Sequence, residues 1–156
     1  MLRKHFFVAA VAAVCLMLAS PAMAKQDFSG TWKIVLDKSD FGPMPAPEKV
    51  EQVVEQKEND LKVNWTSVSQ QGEMKLELNY STEKETTNTF RNAPMKSTAK
   101  WEGETLVVVS KLEVQGNEIV IQDTWSLSDE GKTLTMDRKL NTPQGDIEMK
   151  QVFTKQ

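Results

Sequence analysis

Cysteine, histidine and tyrosine each occur once in the 156 residues, and only two of the three arginines lie beyond residue 24. The one cysteine, Cys15, and the one histidine, His5, both fall in the opening "MLRKHFFVAAVAAVCLMLASPAMA". That stretch has the parts of a secretory signal peptide: Arg3 and Lys4, an apolar run from Phe6 to Leu18, and the A-x-A site Ala22-Met23-Ala24. The run is shorter than the roughly 20 apolar residues of a membrane anchor. Val14, not a small residue, precedes Cys15, which argues against lipid attachment. The expected organisation is a signal peptide over 1–24 and one domain over 25–156, with a periplasmic or secreted location.

Loss of the leader removes whole classes of chemistry. A chain starting at Lys25 has no thiol, no disulfide and no imidazole, so Ser–His and Cys–His catalysis are excluded. Zinc and copper sites built on His or Cys are excluded with them. No cofactor is implied, and no metal site is expected. Asp37 and Asp40 in "DKSDFG" read as turn-forming residues, because three prolines and Phe41-Gly42 break the ligand spacing of a calcium loop. Of the 19 basic residues, Arg3 and Lys4 leave with the leader; the 17 that remain face 22 acids, a net charge of −5. That balance disfavours nucleic acid or an anionic membrane as partner.

A helical period is also missing. From Lys25 onward the pattern alternates with period two. Ten strands are predicted, at about 28–36, 49–57, 60–69, 73–81, 86–91, 95–101, 105–114, 118–128, 133–141 and 146–154, separated by short turn signals. The long connection is 37–48, where Pro43, Pro45 and Pro47 exclude a helix and favour an extended cover. The class is all-β: an antiparallel up-and-down barrel of about ten strands, closed so that it leaves no edge. Lys, Glu and Thr repeat on the face turned away from the apolar one. That is the reverse of a membrane-spanning barrel, so no membrane insertion is expected.

The last hairpins can be registered from their turns. Gly116-Asn117, read as a two-residue turn, sets Val114 near Ile119, Leu112 opposite Ile121, Ser110 opposite Asp123 and Val108 opposite Trp125. Glu130-Gly131 then pairs Trp125 with Met136, Asp123 with Arg138 and Ile121 with Leu140. Pro143-Gln144 brings Leu140 to Ile147, Arg138 to Met149 and Leu134 to Phe153. A one-residue slip would turn every apolar side chain outward, so parity is strongly specified.

On the first strand, Phe28, Gly30, Trp32, Ile34 and Leu36 share a face. A glycine two residues before a tryptophan lets the strand bend or another chain come close, and the Trp can plug the narrow end. In Gly30-Thr31-Trp32 the chain resembles the calycins, the lipocalin and fatty-acid-binding-protein group, whose first strand carries G-x-W. "FSGTWK" and "KSDFG" also resemble bacterial exported lipocalin-like sequences. The resemblance implies an arginine from a late strand packed across Trp32, and Arg138 is the late, inward-facing candidate. It differs from the fatty-acid-binding pattern in two places. A Pro-rich loop stands where two helices follow strand one, and Leu140 stands where the late R-x-Y motif has Tyr.

By parity, Trp32, Trp65, Trp101 and Trp125 point inward with Tyr80, Phe153, Met74, Met95, Met136 and Met149. Two readings stand. Either these side chains fill the core, or Trp65, Tyr80, Trp101, Trp125 and Arg138 line a pocket for a small lipophilic or amphipathic molecule. Ser110, Asp123 and Arg138 form a polar row with two readings of its own. It is a structural pair that closes the barrel together with Gly30 and Trp32, or Arg138 is a fork-shaped donor to a ligand carboxylate. No enzyme is expected, since nearly all acids lie on the water face. The rival to a ligand-binding barrel is a filled barrel acting through its rim loops on an envelope protein.

Overall fold

The computed structural model describes residues 25–156. The leader reading, with Cys15 and His5, lies outside them. All ten expected strands form, each within two residues of its expected bounds: β1 Gly30–Ile34, β2 Lys49–Lys57, β3 Asp60–Ser69, β4 Gly72–Ser81, β5 Thr86–Phe90, β6 Ala93–Glu102, β7 Thr105–Val114, β8 Asn117–Ser128, β9 Thr133–Thr142 and β10 Gly145–Lys155. They make one antiparallel sheet in the order β4-β3-β2-β1-β10-β9-β8-β7-β6-β5. Every strand therefore pairs with its chain neighbour, except that β1 joins β10 and β4 does not ladder with β5.

That last seam is held by side chains. The Asn88 amide acts as a peptide group: its Oδ1 accepts from Asn79 N at 2.6 Å and its Nδ2 donates to Asn79 O at 3.0 Å. Thr86 Oγ1 adds a bond to the same carbonyl at 2.6 Å. The sheet thus curls into a nearly closed barrel.

The β8–β9 and β9–β10 registers are those read from the sequence, including Asp123 opposite Arg138 and Leu140 opposite Ile147. The β7–β8 register is not. Leu106 faces Trp125, Val108 faces Asp123 and Ser110 faces Ile121. The turn residues are Gln115-Gly116, both with positive φ, at 52° and 79°. This is the backbone of a two-residue hairpin whose twist suits the flanking strands. Moving the turn back by one residue shifts the pairing by two. Parity survives, so the inward set is unchanged, but Ser110 leaves the Asp123–Arg138 row.

The β1–β2 connection starts with a 3-10 turn, Leu36–Lys38, and bridges to β10 through two Asp40–Lys150 backbone hydrogen bonds of 2.7 Å. Asp40 also caps its own turn, its Oδ1 accepting from Gly42 N at 2.8 Å. The prolines are exposed or half-exposed, and Met44 is 48% exposed. The segment runs beside β10 as far as Gly42 and ends where Glu48 N donates to Val68 O at 2.8 Å.

Candidate functional site

The two ends of the barrel differ. One end, here the floor, carries the β2–β3, β4–β5, β6–β7 and β8–β9 connections. Its core is dense: Phe28, Trp32, Leu106, Leu134 and Phe153 are fully buried, and Val54, Leu61, Tyr80 and Trp125 nearly so. The Trp32 indole donates to Phe28 O at 2.8 Å. Phe28 in turn stacks on Trp101, centroids 5.8 Å apart, and meets Trp125 edge-on at 5.5 Å. Trp125 also meets Tyr80 edge-on at 6.3 Å. Two indole donors, Trp101 Nε1 and Trp125 Nε1, are buried without a hydrogen-bond partner.

The lid of the floor is a lysine. Lys155 Nζ lies 5.4 Å from the Trp32 ring centroid, a cation–π contact. The late-strand arginine implied by the calycin resemblance is thus replaced, since Arg138 is engaged elsewhere. Gly30 explains the G-x-W spacing: a Cβ there would lie 2.6 Å from Lys155 Cε, and its φ is +138°. The glycine leaves room for the lysine stem to cross the tryptophan.

The other end, the mouth, carries the β1–β2, β3–β4, β5–β6, β7–β8 and β9–β10 connections. Of its inward apolar side chains, Val50, Met95 and Leu112 are buried, and eight more are Met74, Leu76, Phe90, Ile119, Ile121, Leu140, Ile147 and Met149. Yet all eight are only half-buried, and none joins the packed cluster. At the rim a recess of about 390 Å³ opens between the β5–β6 and β7–β8 turns, lined by Phe90, Ala93, Val114 and Ile119 with Arg91, Glu113 and Gln115.

The strand centres turn polar side chains inward. Gln52, Asn88, Ser97, Ser110, Asp123 and Gln151 are all buried. Ser110, displaced by the β7–β8 register, shares a 2.8 Å hydrogen bond with Ser97, and Asn88 Nδ2 reaches Ser97 Oγ at 3.3 Å. Gln52 gives an amide hydrogen to Met136 Sδ at 3.3 Å. The polar content of the interior thus extends beyond the expected row of Ser110, Asp123 and Arg138. Gln52 between Val50 and Val54, and Gln151 two residues before Phe153, were legible by parity on β2 and β10.

Arg138 and Asp123 meet in a two-pronged ion pair, Nε to Oδ1 at 2.6 Å and Nη2 to Oδ2 at 2.8 Å. The Asp123 side chain is 6% exposed and that of Arg138 26%. Burial disfavours the Arg138 charge, and the charge and hydrogen bonds of Asp123, with a smaller contribution from Tyr80, outweigh it; the guanidinium stays protonated above its ordinary range. Burial, then the Asp123 charge, push the Tyr80 hydroxyl well above its ordinary value, while Arg138 pulls the other way.

Of the residues expected to line a pocket, Tyr80 and Trp125 sit together in the floor core, and Trp101 packs on Phe28 beside them. Trp65 is half-buried on β3 between Gln52 and Leu76, and Arg138 is turned inward on β9. Among the described residues no cluster of carboxylates, histidines or cysteines is arranged to hold a metal ion.

No protein-family model matches the chain, and no curated protein sequence does. Solved structures do. A secretory abundant heat soluble protein from Ramazzottius varieornatus superposes with a TM-score of 0.63 at 16% identity, over 86% of this chain and 98% of that one. The wild-type fluorescent protein UnaG gives 0.59 at 18% identity, over 83% and 97%. The zebrafish ileal bile acid-binding protein, solved with cholic acid, gives 0.57 at 16%, over 83% and 98%. At these identities what is shared is the fold, and the chain has that of the calycins: a ten-stranded, up-and-down barrel of the lipocalin and fatty-acid-binding-protein type.

Proposed function

We propose that the protein is an exported barrel that binds a small lipophilic or amphipathic molecule, entering at the mouth and resting its inner end against the aromatic floor. The observation that carries this reading is the asymmetry of the interior. Val50, Met95 and Leu112 are buried at the mouth end, but eight other inward apolar side chains there stay half-buried, and a core filled to both ends would have buried them as it buries Phe28, Trp32, Leu134 and Phe153 at the floor. Apolar walls with a few placed polar groups are the usual build of a small-molecule site. The bile acid-binding neighbour, solved with cholic acid, supports the reading by analogy of fold. In this proposal Trp65, Tyr80 and Arg138 face the ligand, Trp101 and Trp125 form the surface beneath it, and Gly30 and Trp32 close the barrel. The role is binding, not catalysis. The chain leaves the cell interior with the leader removed after Ala24, so intact-mass analysis of periplasmic protein should find Lys25 as the first residue.

The test is a panel of fatty acids, long-chain alcohols, retinoid-like and quinone-like compounds. A compound bound only by the folded state raises stability by about 2.7 kcal/mol at a hundredfold excess over Kd. At least one should raise the melting temperature and change Trp65 emission while leaving a variant that keeps only Trp32 silent. A panel without effect would favour a second reading. Among the described residues, Leu36, Met44 and Val114 are the exposed large apolar side chains, and all three lie at the mouth end. That placement suits a protein partner docked on the rim.

A further inference from the structure

The interior also restricts what kind of molecule it takes. Resting on the reading of an interior ligand, we propose that the ligand's buried end is polar but uncharged, an alcohol, amide, ester or ketone on a lipophilic body, and that a free carboxylate is excluded.

The argument is one of charge. Along the inward face of the ten strands the only charged side chains above the floor are Asp123 and Arg138. Lys155 shares their parity but lies beyond the floor, over Trp32. Asp123 occupies the Nε and Nη2 prongs of Arg138 at 2.6 and 2.8 Å, and the pair sums to zero charge. A carboxylate gains most from a guanidinium when it takes such a two-pronged face for itself. Here the Nε–Nη2 face is taken, and the Nη1–Nη2 edge that remains belongs to a guanidinium whose charge Asp123 already balances. An incoming anion would find the attraction of Arg138 offset by repulsion from Asp123, with nothing left to compensate its own desolvation. The other buried polar side chains of the strand centres, the amides of Gln52, Asn88 and Gln151 and the hydroxyls of Ser97 and Ser110, are neutral, as is the Tyr80 hydroxyl. They suit a neutral head that both donates and accepts hydrogen bonds. Tyr80 stays protonated, since burial and Asp123 both hold its proton in place.

The experiment compares probes with one and the same chain: oleate, oleamide and 1-monooleoylglycerol, each titrated into the purified protein at neutral pH and followed by melting temperature and tryptophan emission. Oleamide or the monoglyceride should bind at least about tenfold tighter than oleate. Asp123→Asn frees the Arg138 fork at constant shape and should reverse the order, with oleate gaining about tenfold or more. The double variant Asp123→Asn, Arg138→Gln should take the neutral probes and still refuse oleate, which separates charge from shape. If neither variant folds, the wild-type order decides alone. Wild-type protein that binds oleate as well as or better than its neutral partners overturns the exclusion and leaves the interior-binding reading standing. Wild-type protein that binds none of the three, nor any compound of the wider panel, overturns that reading and this inference with it.

Discussion

Asp123 and Arg138 are unequal partners, and their variants should show it. Arg138→Ala strands a carboxylate that is 6% exposed, which should cost about 3–5 kcal/mol in a urea denaturation series. Asp123→Ala leaves a guanidinium that is already 26% exposed on a long stem, so it should cost distinctly less. Equal losses would show that both charges are equally shut off from water. Tyr80 is the one tyrosine, which makes its titration readable. Its hydroxyl is raised in the folded state above the ordinary 10.0. The sign follows: the unfolded chain releases this proton first, so the stability it contributes is complete below pH 10 and is lost as pH rises above it. Tyrosinate absorbance should be missing from the folded protein just above pH 10 and should appear together with unfolding. A titration with an ordinary midpoint in folded protein would place Tyr80 in contact with solvent.

At the scale of elements, the weak point is the β4–β5 seam. Nine of the ten junctions around the barrel are backbone ladders; this one rests on Asn88 and Thr86 bonded to Asn79. Asn88→Ala leaves a backbone donor without its partner in the wall and loses the link to Ser97. The expected loss is about 1–3 kcal/mol, with faster amide exchange at Asn79 than in the laddered strands. Unchanged exchange at Asn79 would mean that the two edges pair without this side chain. The other informative element is the β7–β8 turn. Gly116-Asn117 and Gln115-Gly116 both satisfy a two-residue loop on paper. Gln115 adopts the left-handed conformation, unusual for its type, because that turn puts Leu106 against Trp125 in the floor. Core packing outweighs the local preference, a conflict that turn chemistry alone does not reveal.

For the molecule as a whole, packing is denser at the floor than along much of the mouth. Leu134 is fully buried in the floor, and Ile147 is half-buried at the mouth. Leu134→Ala should therefore cost about 2–5 kcal/mol. Ile147→Ala should cost much less in the free protein, because water already reaches that side chain. Adding a bound lipophilic compound should widen the gap between wild type and Ile147→Ala, since the isoleucine then gains an apolar neighbour. Similar losses at the two sites in free protein would mean that the mouth is as tightly packed as the floor, against the interior-binding reading.

Strand number, strand bounds, the antiparallel order and the inward set of side chains were decided by the sequence alone, because period-two alternation and short turns leave a two-faced meander few alternatives. The G-x-W stretch marked the closed end for the same local reason: a glycine gap beside a large ring. The tertiary structure alone decided three other things. It set the β7–β8 register, because positions two apart share a face and alternation cannot tell them apart. It chose the lysine over Trp32, because which late residue reaches that ring depends on how the sheet closes. It also divided the inward face into a packed floor and a mouth where eight apolar side chains stay half-buried, because depth in a barrel follows from curvature and closure, which side-chain type does not encode.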